Sequence, residues 1–250
     1  PAPEPSALKS EADPAVARPR AAGIADHSES AADFERRAAG AARIAPSRES
    51  VALELPNRQK VTASGPLEAI ALYDQILETY PTYPFNDQVL YQKSRAFDEL
   101  GRTEEAIAVM EQLISAYPYS RHIDEVQFRR GEYFFPPKRF LDAEKAYSAI
   151  TAMGARSEYY ELALYKLGWT LYKQDLHEEA LEQYIALLDY KVATGYDFDQ
   201  REDEDSERRI ADTYRVISLS FTNLGGPDSI ERYFAENGSR SYEDRIYSHL

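Results

Sequence analysis

The 250-residue sequence contains no cysteine, which excludes disulfide bonds, thiolate chemistry and cysteine-based zinc sites within this chain. It also has no uninterrupted apolar run of about 18 residues, the length that a membrane-spanning helix requires. Positive charge is scarce, since 29 Lys and Arg residues face 43 Asp and Glu residues and the formal net charge is −14. Nucleic acids and anionic lipids repel such a chain. We therefore expect no nucleic-acid partner and no transmembrane segment.

Aromatic residues are almost missing from the first quarter of the sequence. Residues 1–63 hold 7 prolines and 17 alanines but a single aromatic residue, Phe34. A segment with so little bulky apolar surface cannot offset the entropy that folding costs. We predict that residues 1–63 form an Ala/Pro-rich disordered tail or linker, with a transient helix over residues 31–45. The folded domain is then expected over residues 64–250.

The remaining sequence repeats itself at a fixed spacing of 37 residues. Four segments align without gaps: LEAIALYDQIL, EEAIAVMEQLI, LDAEKAYSAIT and EEALEQYIALL. They share an alanine column, which consists of Ala69, Ala106, Ala143 and Ala180. Four residues later comes a column of large side chains, Tyr73, Met110, Tyr147 and Tyr184. Three residues after that stand Ile76, Leu113, Ile150 and Leu187. This spacing predicts one amphipathic helix per repeat.

A second set of segments precedes three of these helices: VLYQKSRAFDEL, VQFRRGEYFFPP and ALYKLGWTLYKQ. A small residue is followed after three positions by a large apolar one, in the pairs Ser94/Phe97, Gly131/Phe134 and Gly168/Leu171. We predict that these segments are the first helices of helical hairpins. Gly101 is expected to end one helix and Thr103 to cap the next, while Pro81 and Pro118 stop the second helices.

These small–large pairs, the Ala–aromatic columns and the trailing prolines resemble the tetratricopeptide repeat family over residues 66–250. The resemblance implies an all-α fold, a right-handed superhelical solenoid of antiparallel helix pairs.

Two places depart from the regular spacing. A fifth copy has Ser218, Phe221 and Gly225 in the expected columns, with Ile230 in place of alanine, after an acidic insertion of 13 residues near 194–207. A sixth hairpin begins at SYEDRIYSHL and is cut at Leu250, which favours an array that continues. At the other end, Pro56 interrupts the expected first helix near residues 50–63. The array is therefore expected to open with a lone second helix, Pro66 to Tyr80, whose exposed face something else covers.

The resemblance implies a concave surface lined by the first helices, on which repeat positions 2, 5, 9 and 12 point outward. Aromatic and arginine side chains are favoured there as interface anchors. We predict a partner-binding groove with Trp169 as its best single anchor, formed by Tyr91, Arg95, Phe128, Glu132, Phe135, Tyr165, Trp169, Tyr172, Lys173 and Arg215. The alternative is that several of these side chains pack between adjacent repeats.

Other kinds of site find little support. The Lys and Asn carboxylate clamp, by which some family members hold chaperone tails, has no match at the corresponding positions. The acidic insertion lacks the glycine and ligand spacing of an EF-hand, so a solvated loop is favoured over a Ca²⁺ site. The four histidines form no HExxH motif, and no phosphate-binding glycine loop is present. We therefore predict no enzyme activity, no cofactor and no metal.

The resulting hypothesis is a protein-interaction scaffold. The repeat length and the AYPYS junction are similar to bacterial envelope members of the family, such as the Tol–Pal coordinator protein and the β-barrel assembly lipoprotein. The resemblance implies a periplasmic or outer-membrane-associated protein of an assembly, secretion or motility complex. Two alternatives stay open: the non-catalytic arm of a multidomain enzyme, and a cytoplasmic regulator that recognises peptides. The oligomeric state is not predicted.

Overall fold

The computed structural model describes Arg36, residues 53–54 and 60–61, and residues 65–200 and 204–249. Most of the predicted tail, including nearly all of the predicted transient helix over residues 31–45, lies outside the described residues. Two short strands, β1 (Leu53–Glu54) and β2 (Lys60–Val61), pair antiparallel with Leu53 opposite Val61. Among the described residues, no helix is long and apolar enough to cross a membrane.

From Pro66 onward the described chain is helical. The helices are α1 (Pro66–Thr79), α2 (Asn86–Glu99), α3 (Thr103–Ala116), α4 (Ile123–Phe134), α5 (Phe140–Thr151), α6 (Tyr160–Tyr172), α7 (His177–Ala193), α8 (Glu204–Asn223), α9 (Pro227–Asn237) and α10 (Glu243–Tyr247). A 3₁₀ turn at Gly154–Arg156 precedes α6. Consecutive helices pack as the hairpins α2/α3, α4/α5, α6/α7 and α8/α9, and each hairpin packs on the next. The predicted all-α solenoid of antiparallel helix pairs is confirmed.

The first helices α2, α4 and α6 end in the same way. Gly101 has a φ of 68°, in the left-handed region, and the next amide donates back to the carbonyl of Phe97. Lys138 and Asp175, each 37 residues further on, adopt the same conformation with φ of 64° and 62°. This reversal turns the chain into the second helix within a few residues. The prediction for Thr103 was wrong: it is the first residue of α3, and Arg102 occupies the cap position without a side-chain bond.

The interior of each hairpin follows the predicted columns. Ala106, Ala143 and Ala180 are fully buried. The ring of Tyr184 packs onto Gly168 so closely that a Cβ atom on this glycine would lie 2.8 Å from Cε2. A Cβ atom on Gly131 would overlap the ring of Tyr147 in the same way. The small residue of the first helix therefore makes room for the aromatic side chain of the second.

Neighbouring hairpins are tied together by a hydrogen bond that recurs at the repeat spacing. The hydroxyl of Ser120 donates to Asp87 at 2.7 Å, and that of Ser157 donates to Asp124 at 3.0 Å. Glu161 occupies the next equivalent position, where Lys191 approaches its carboxylate at 2.9 Å and Arg209 at 3.7 Å. An ion-pair cluster thus replaces the Ser–Asp hydrogen bond at the interface that holds the insertion.

The insertion is more structured than a solvated acidic loop. The rings of Tyr196 and Phe198, both in the insertion, are half-buried. The ring centroid of Phe198 lies 6.2 Å from that of Tyr242. Glu204, Asp205 and Glu207 belong to α8, so the predicted loop ends earlier than residue 207. Glu202 and Asp203 of the acidic insertion lie outside the described residues.

Candidate functional site

The candidate site is the surface formed by the first helices α2, α4, α6 and α8, on which the predicted groove residues lie. Along this surface, the aromatic side chain of one hairpin meets a carboxylate of the next. The hydroxyl of Tyr91 donates to Glu125 at 2.7 Å, and that of Tyr165 donates to Asp212 at 3.2 Å. Each pair spans adjacent hairpins, so these rings belong to the packing between repeats.

Five of the ten predicted anchors are buried, which corrects their assignment to an open groove. They are Tyr91, Phe128, Phe135, Tyr165 and Trp169, and none is more than 5% exposed. The alternative that several of these side chains pack within the solenoid is the one that the burial supports. Buried rings offer no surface to a partner without a rearrangement of the helices.

The contacts of Trp169, which we expected to be the leading anchor, show how it is covered. Its ring lies parallel to that of Tyr172, with the centroids 5.4 Å apart, and only 2% of the residue is exposed. The ammonium group of Lys173 lies 5.8 Å from the same ring. Side chains of its own helix thus contribute to the packing around Trp169.

Glu132 also serves the packing of the repeats. Its carboxylate accepts a hydrogen bond from the Tyr147 hydroxyl at 2.5 Å and lies 3.2 Å from the ammonium group of Lys166. Lys166 belongs to the following hairpin and is 1% exposed. Glu132 therefore neutralises the buried charge of Lys166. A partner that paired with Glu132 would leave this ammonium group without its counterion.

Five predicted residues are partly exposed, and Glu132 is one of them. The other four are Arg95, Tyr172, Lys173 and Arg215, and we call them the accessible set. Each is partly exposed. The guanidinium of Arg95 donates to the Tyr91 hydroxyl at 3.2 Å, so its position is held from within the fold. The ring of Tyr172 lies 5.2 Å from that of His177 at the start of α7. Three of these four side chains are cationic, and the fourth is aromatic.

The sequence interpretation missed the buried cations of this surface. Arg129 pairs with Asp98 of the preceding hairpin, and burial lowers the pKa of its guanidinium. Lys166 stands 37 residues after Arg129 and pairs with Glu132. The signal that would have revealed them is a Lys or Arg that recurs two positions before the small residue of the first helix.

The pKa values of two side chains, His122 and Tyr159, are shifted near the interface between the hairpins of α2 and α4. The ring of His122 stacks on that of Tyr91, with the centroids 4.0 Å apart. Burial, followed by the positive charge of Arg121, lowers the pKa of His122 below 6.5. Burial, reinforced by Glu125 and other nearby acids, raises the pKa of Tyr159 to about 12. The neutral forms of both side chains are therefore favoured at neutral pH.

Metal ligation has no geometric basis in the part of the chain that the structure describes. There, no three His, Asp or Glu side chains come together as ligands. In the insertion, the carboxylate of Asp199 is 2.6 Å from the guanidinium of Arg245. This acidic residue thus has a cation from the chain itself.

A family model matches part of this chain, and several solved structures are similar to it. The tetratricopeptide repeat family model matches residues 88–120 and 162–190. Similar solved structures include the MamA RS-1 ArsTM double mutant (15% identity, TM-score 0.45), with 73% of this chain and 85% of that chain covered. A putative kinesin light chain of Podosopora anserina with nearly identical TPR-like repeats is 12% identical (TM-score 0.46), with 74% and 84% covered. None of the curated proteins matches the sequence. Two segments of this chain therefore match the tetratricopeptide repeat model, and they lie in the hairpins α2/α3 and α6/α7 of the helical array.

Proposed function

We propose that this chain is a protein-interaction scaffold whose first-helix surface holds a peptide or a helix of a partner protein. The observation that supports this most directly is the accessible set, which lies on first helices, or at the end of one, in three hairpins of a tightly packed array. Repeat arrays of this kind present extended surfaces with a fixed shape. A preorganised surface reduces the entropy that binding costs.

The chemistry of the accessible set indicates what the partner would carry. Arg95, Lys173 and Arg215 are positive, in a protein whose net charge is −14. Arginine forms paired hydrogen bonds with carboxylates, and tyrosine offers a large ring at a small entropic cost. We therefore propose a partner segment with acidic side chains next to an apolar one. Its affinity should fall as salt concentration rises, since exposed charges are screened.

The test is to capture the partner from a native extract with the wild-type chain and to measure its affinity for variants. The double variant Tyr172→Ala, Arg215→Ala should bind about 30-fold more weakly or worse, because losing a hot spot costs about 2 kcal/mol. Lys145→Ala is the matched control, since Lys145 is exposed on the second helix α5. Equal affinities of the double variant and the control, with unchanged helical circular dichroism, would reject this surface.

We further propose that the scaffold works in a bacterial cell envelope, in an assembly, secretion or motility complex. The similarity of repeat length and junction sequence to envelope members of the family supports this setting. The Ala/Pro-rich composition of residues 1–63 also suits a tether between a membrane and a folded domain. Fractionation of cells that express the natural gene tests the proposal. Recovery with cytoplasmic markers alone would contradict it and favour the peptide-sensing regulator.

A further inference from the structure

In the hairpins α4/α5 and α6/α7, one side chain of the second helix packs directly onto the first helix. Tyr147 lies on Gly131 and Tyr184 on Gly168. Met110 occupies the same repeat position in α3 and is also fully buried. This column of side chains therefore marks the face of the second helix that its own first helix covers.

In α1 the same face is less covered. Tyr73 stands in this column, and Ala69 stands one turn before it, yet both are partly exposed. Their equivalents in α3, α5 and α7 are all 0% exposed. The rest of α1 behaves like the other second helices. Leu67, for example, is 66% exposed, and its equivalent Leu141 in α5 is 67% exposed. The difference in exposure is clear at Ala69 and Tyr73, where the equivalent residues of the other second helices contact a first helix.

The repeat spacing assigns the corresponding first helix to residues 50–63, of which the structure describes four. Residues 50–63 contain Pro56, which a helix interior disfavours. Within them, β1 and β2 pair as antiparallel strands at Leu53–Glu54 and Lys60–Val61. The described residues within 50–63 are thus strand residues and do not belong to a first helix for α1.

An earlier segment of the chain has the sequence of a suitable first helix. Residues 30–33 read Ser-Ala-Ala-Asp, which is the pattern of a capping box. Phe34, Ala38, Ala41 and Ala45 then fall on one helical face, with small residues where a tyrosine ring must be accommodated. Arg36 is helical, and its exposed side chain lies on the opposite side of such a helix.

The charges of the two segments and the length of the connection between them also favour residues 31–45 as the helix that covers α1. Helix α1 contains three acidic residues, Glu68, Asp74 and Glu78, and no basic residue. Residues 31–45 contain three arginines and two acids. Twenty residues, 46–65, connect the two segments. At roughly 3.3 Å per extended residue, this connection reaches well beyond the length of α1 even if the strand pair shortens it.

We propose that residues 31–45 of this chain dock as a helix against Ala69 and Tyr73 of α1 and complete the first hairpin of the array. The segment that composition marks as part of a tail thus acts as the opening helix of the solenoid. The β1/β2 pair lies in the connection between the two helices. This placement does not depend on the identity of any partner.

Disulfide trapping in the full-length chain tests the proposal, because the absence of cysteine leaves no competing thiol. Antiparallel pairing brings Ala41 nearest to Ala69, so the variant Ala41→Cys, Ala69→Cys should form an intramolecular disulfide under mild oxidation. The control Ala41→Cys, Ala108→Cys places the second thiol on the exposed side of α3 and should stay reduced. Absence of the intramolecular product, or disulfide-linked dimers in its place, would overturn the proposal, and dimers would indicate a second copy as the occupant.

Hydrogen exchange provides a measurement without cysteine substitutions. Phe34→Asp places a charge in the proposed contact and should accelerate amide exchange in α1 several-fold, while α6 and α7 remain protected. Leu8→Asp, an equivalent change far earlier in the sequence, should leave α1 unchanged. Equal exchange of α1 in both variants would contradict docking of residues 31–45.

Discussion

Lys166 of one hairpin is 1% exposed, and its ammonium group lies 3.2 Å from the carboxylate of Glu132 in the hairpin before it. Glu132 also accepts the hydroxyl proton of Tyr147. One carboxylate thus joins the second helix of its own hairpin to the first helix of the next. Removing the negative charge would leave the buried ammonium group without its counterion.

We therefore expect Glu132→Gln to destabilise the fold by about 3 kcal/mol, the cost typical of breaking a buried pair. Glutamine retains an acceptor for Tyr147, so the loss reports the charge. Adding Lys166→Met should recover most of the stability, because the unpaired charge is then removed. Chemical denaturation followed by circular dichroism measures both. A double variant no more stable than Glu132→Gln would show that the ion pair is not the cause.

The close packing of Tyr147 on Gly131 predicts a steric penalty for the smallest substitution. Gly131→Ala should lower the free energy of unfolding by about 1–3 kcal/mol, because overpacking outweighs the higher helix propensity of alanine. Gly65→Ala is the control, since nothing lies within 4 Å of a Cβ atom there. Thermal melting of the two variants distinguishes them. A melting temperature of Gly131→Ala equal to that of the wild type would contradict the tight contact.

Burial of Trp169 predicts that its loss affects the fold before it affects binding. Trp169→Ala should cost about 3–5 kcal/mol of stability, as is usual for a large side chain removed from a core. Tyr172→Ala, on the partly exposed neighbour, should cost less. Denaturant titration gives both values. If Trp169→Ala melted like the wild type yet failed to bind a captured partner, the original assignment of Trp169 to the groove would be restored.

The stacked pair of His122 and Tyr91 predicts a dependence of stability on pH. Because burial lowers the pKa of His122 below 6.5 in the fold, the unfolded chain binds its proton at a higher pH than the folded chain does. The free energy of unfolding should therefore decrease as pH falls through about 6.5. Asp87 and Asp124 oppose the shift, and Arg121 reinforces it.

The control for this titration is supplied by the repeat itself. Phe85 stands 37 residues before His122 and precedes α2 as His122 precedes α4. His122→Phe should keep the ring over Tyr91 and flatten the pH dependence between about 5.5 and 7, where histidine titrates. Urea denaturation at several pH values measures the slope for each protein. Identical slopes would show that His122 does not contribute.

At the other end of the array, one carboxylate of α7 contacts the segment that leads into α10. Asp189 accepts hydrogen bonds from the Tyr242 hydroxyl at 2.6 Å and from Nε of Arg240 at 3.0 Å. Asp189→Asn should accelerate hydrogen exchange in α10 while leaving α2 to α5 unchanged, because the contact is local. Asp228→Asn, on the exposed first turn of α9, is the matched control. Unchanged exchange in α10 would mean that apolar packing of Tyr242 and Ile246 suffices.

The sequence predicted the packing within hairpins better than it predicted the surface. Columns such as Gly131 and Tyr147 follow from helix periodicity, which is a local property of the chain. Accessibility of Tyr165 depends instead on Asp212 in the next hairpin, which approaches its hydroxyl across the interface. Likewise, no glycine marks the left-handed turns at Lys138 and Asp175, so only their spacing from Gly101 indicates them. Helical periodicity therefore predicts which side chains pack within a hairpin, whereas contacts between repeats determine which of the remaining side chains are exposed.

The recurring hydrogen bond from serine to aspartate has a consequence for how the array can change length. Because Ser120–Asp87 and Ser157–Asp124 occupy equivalent positions, deleting residues 88–124 would place Ser157 opposite Asp87 and rebuild the same junction. The junction at Glu161 cannot be exchanged in this way, since it needs Lys191 and Arg209 on both sides of the insertion. We therefore expect the array to tolerate duplication or loss of whole 37-residue repeats before the Glu161 junction. A change at that junction would have to keep Glu161, Lys191 and Arg209 together.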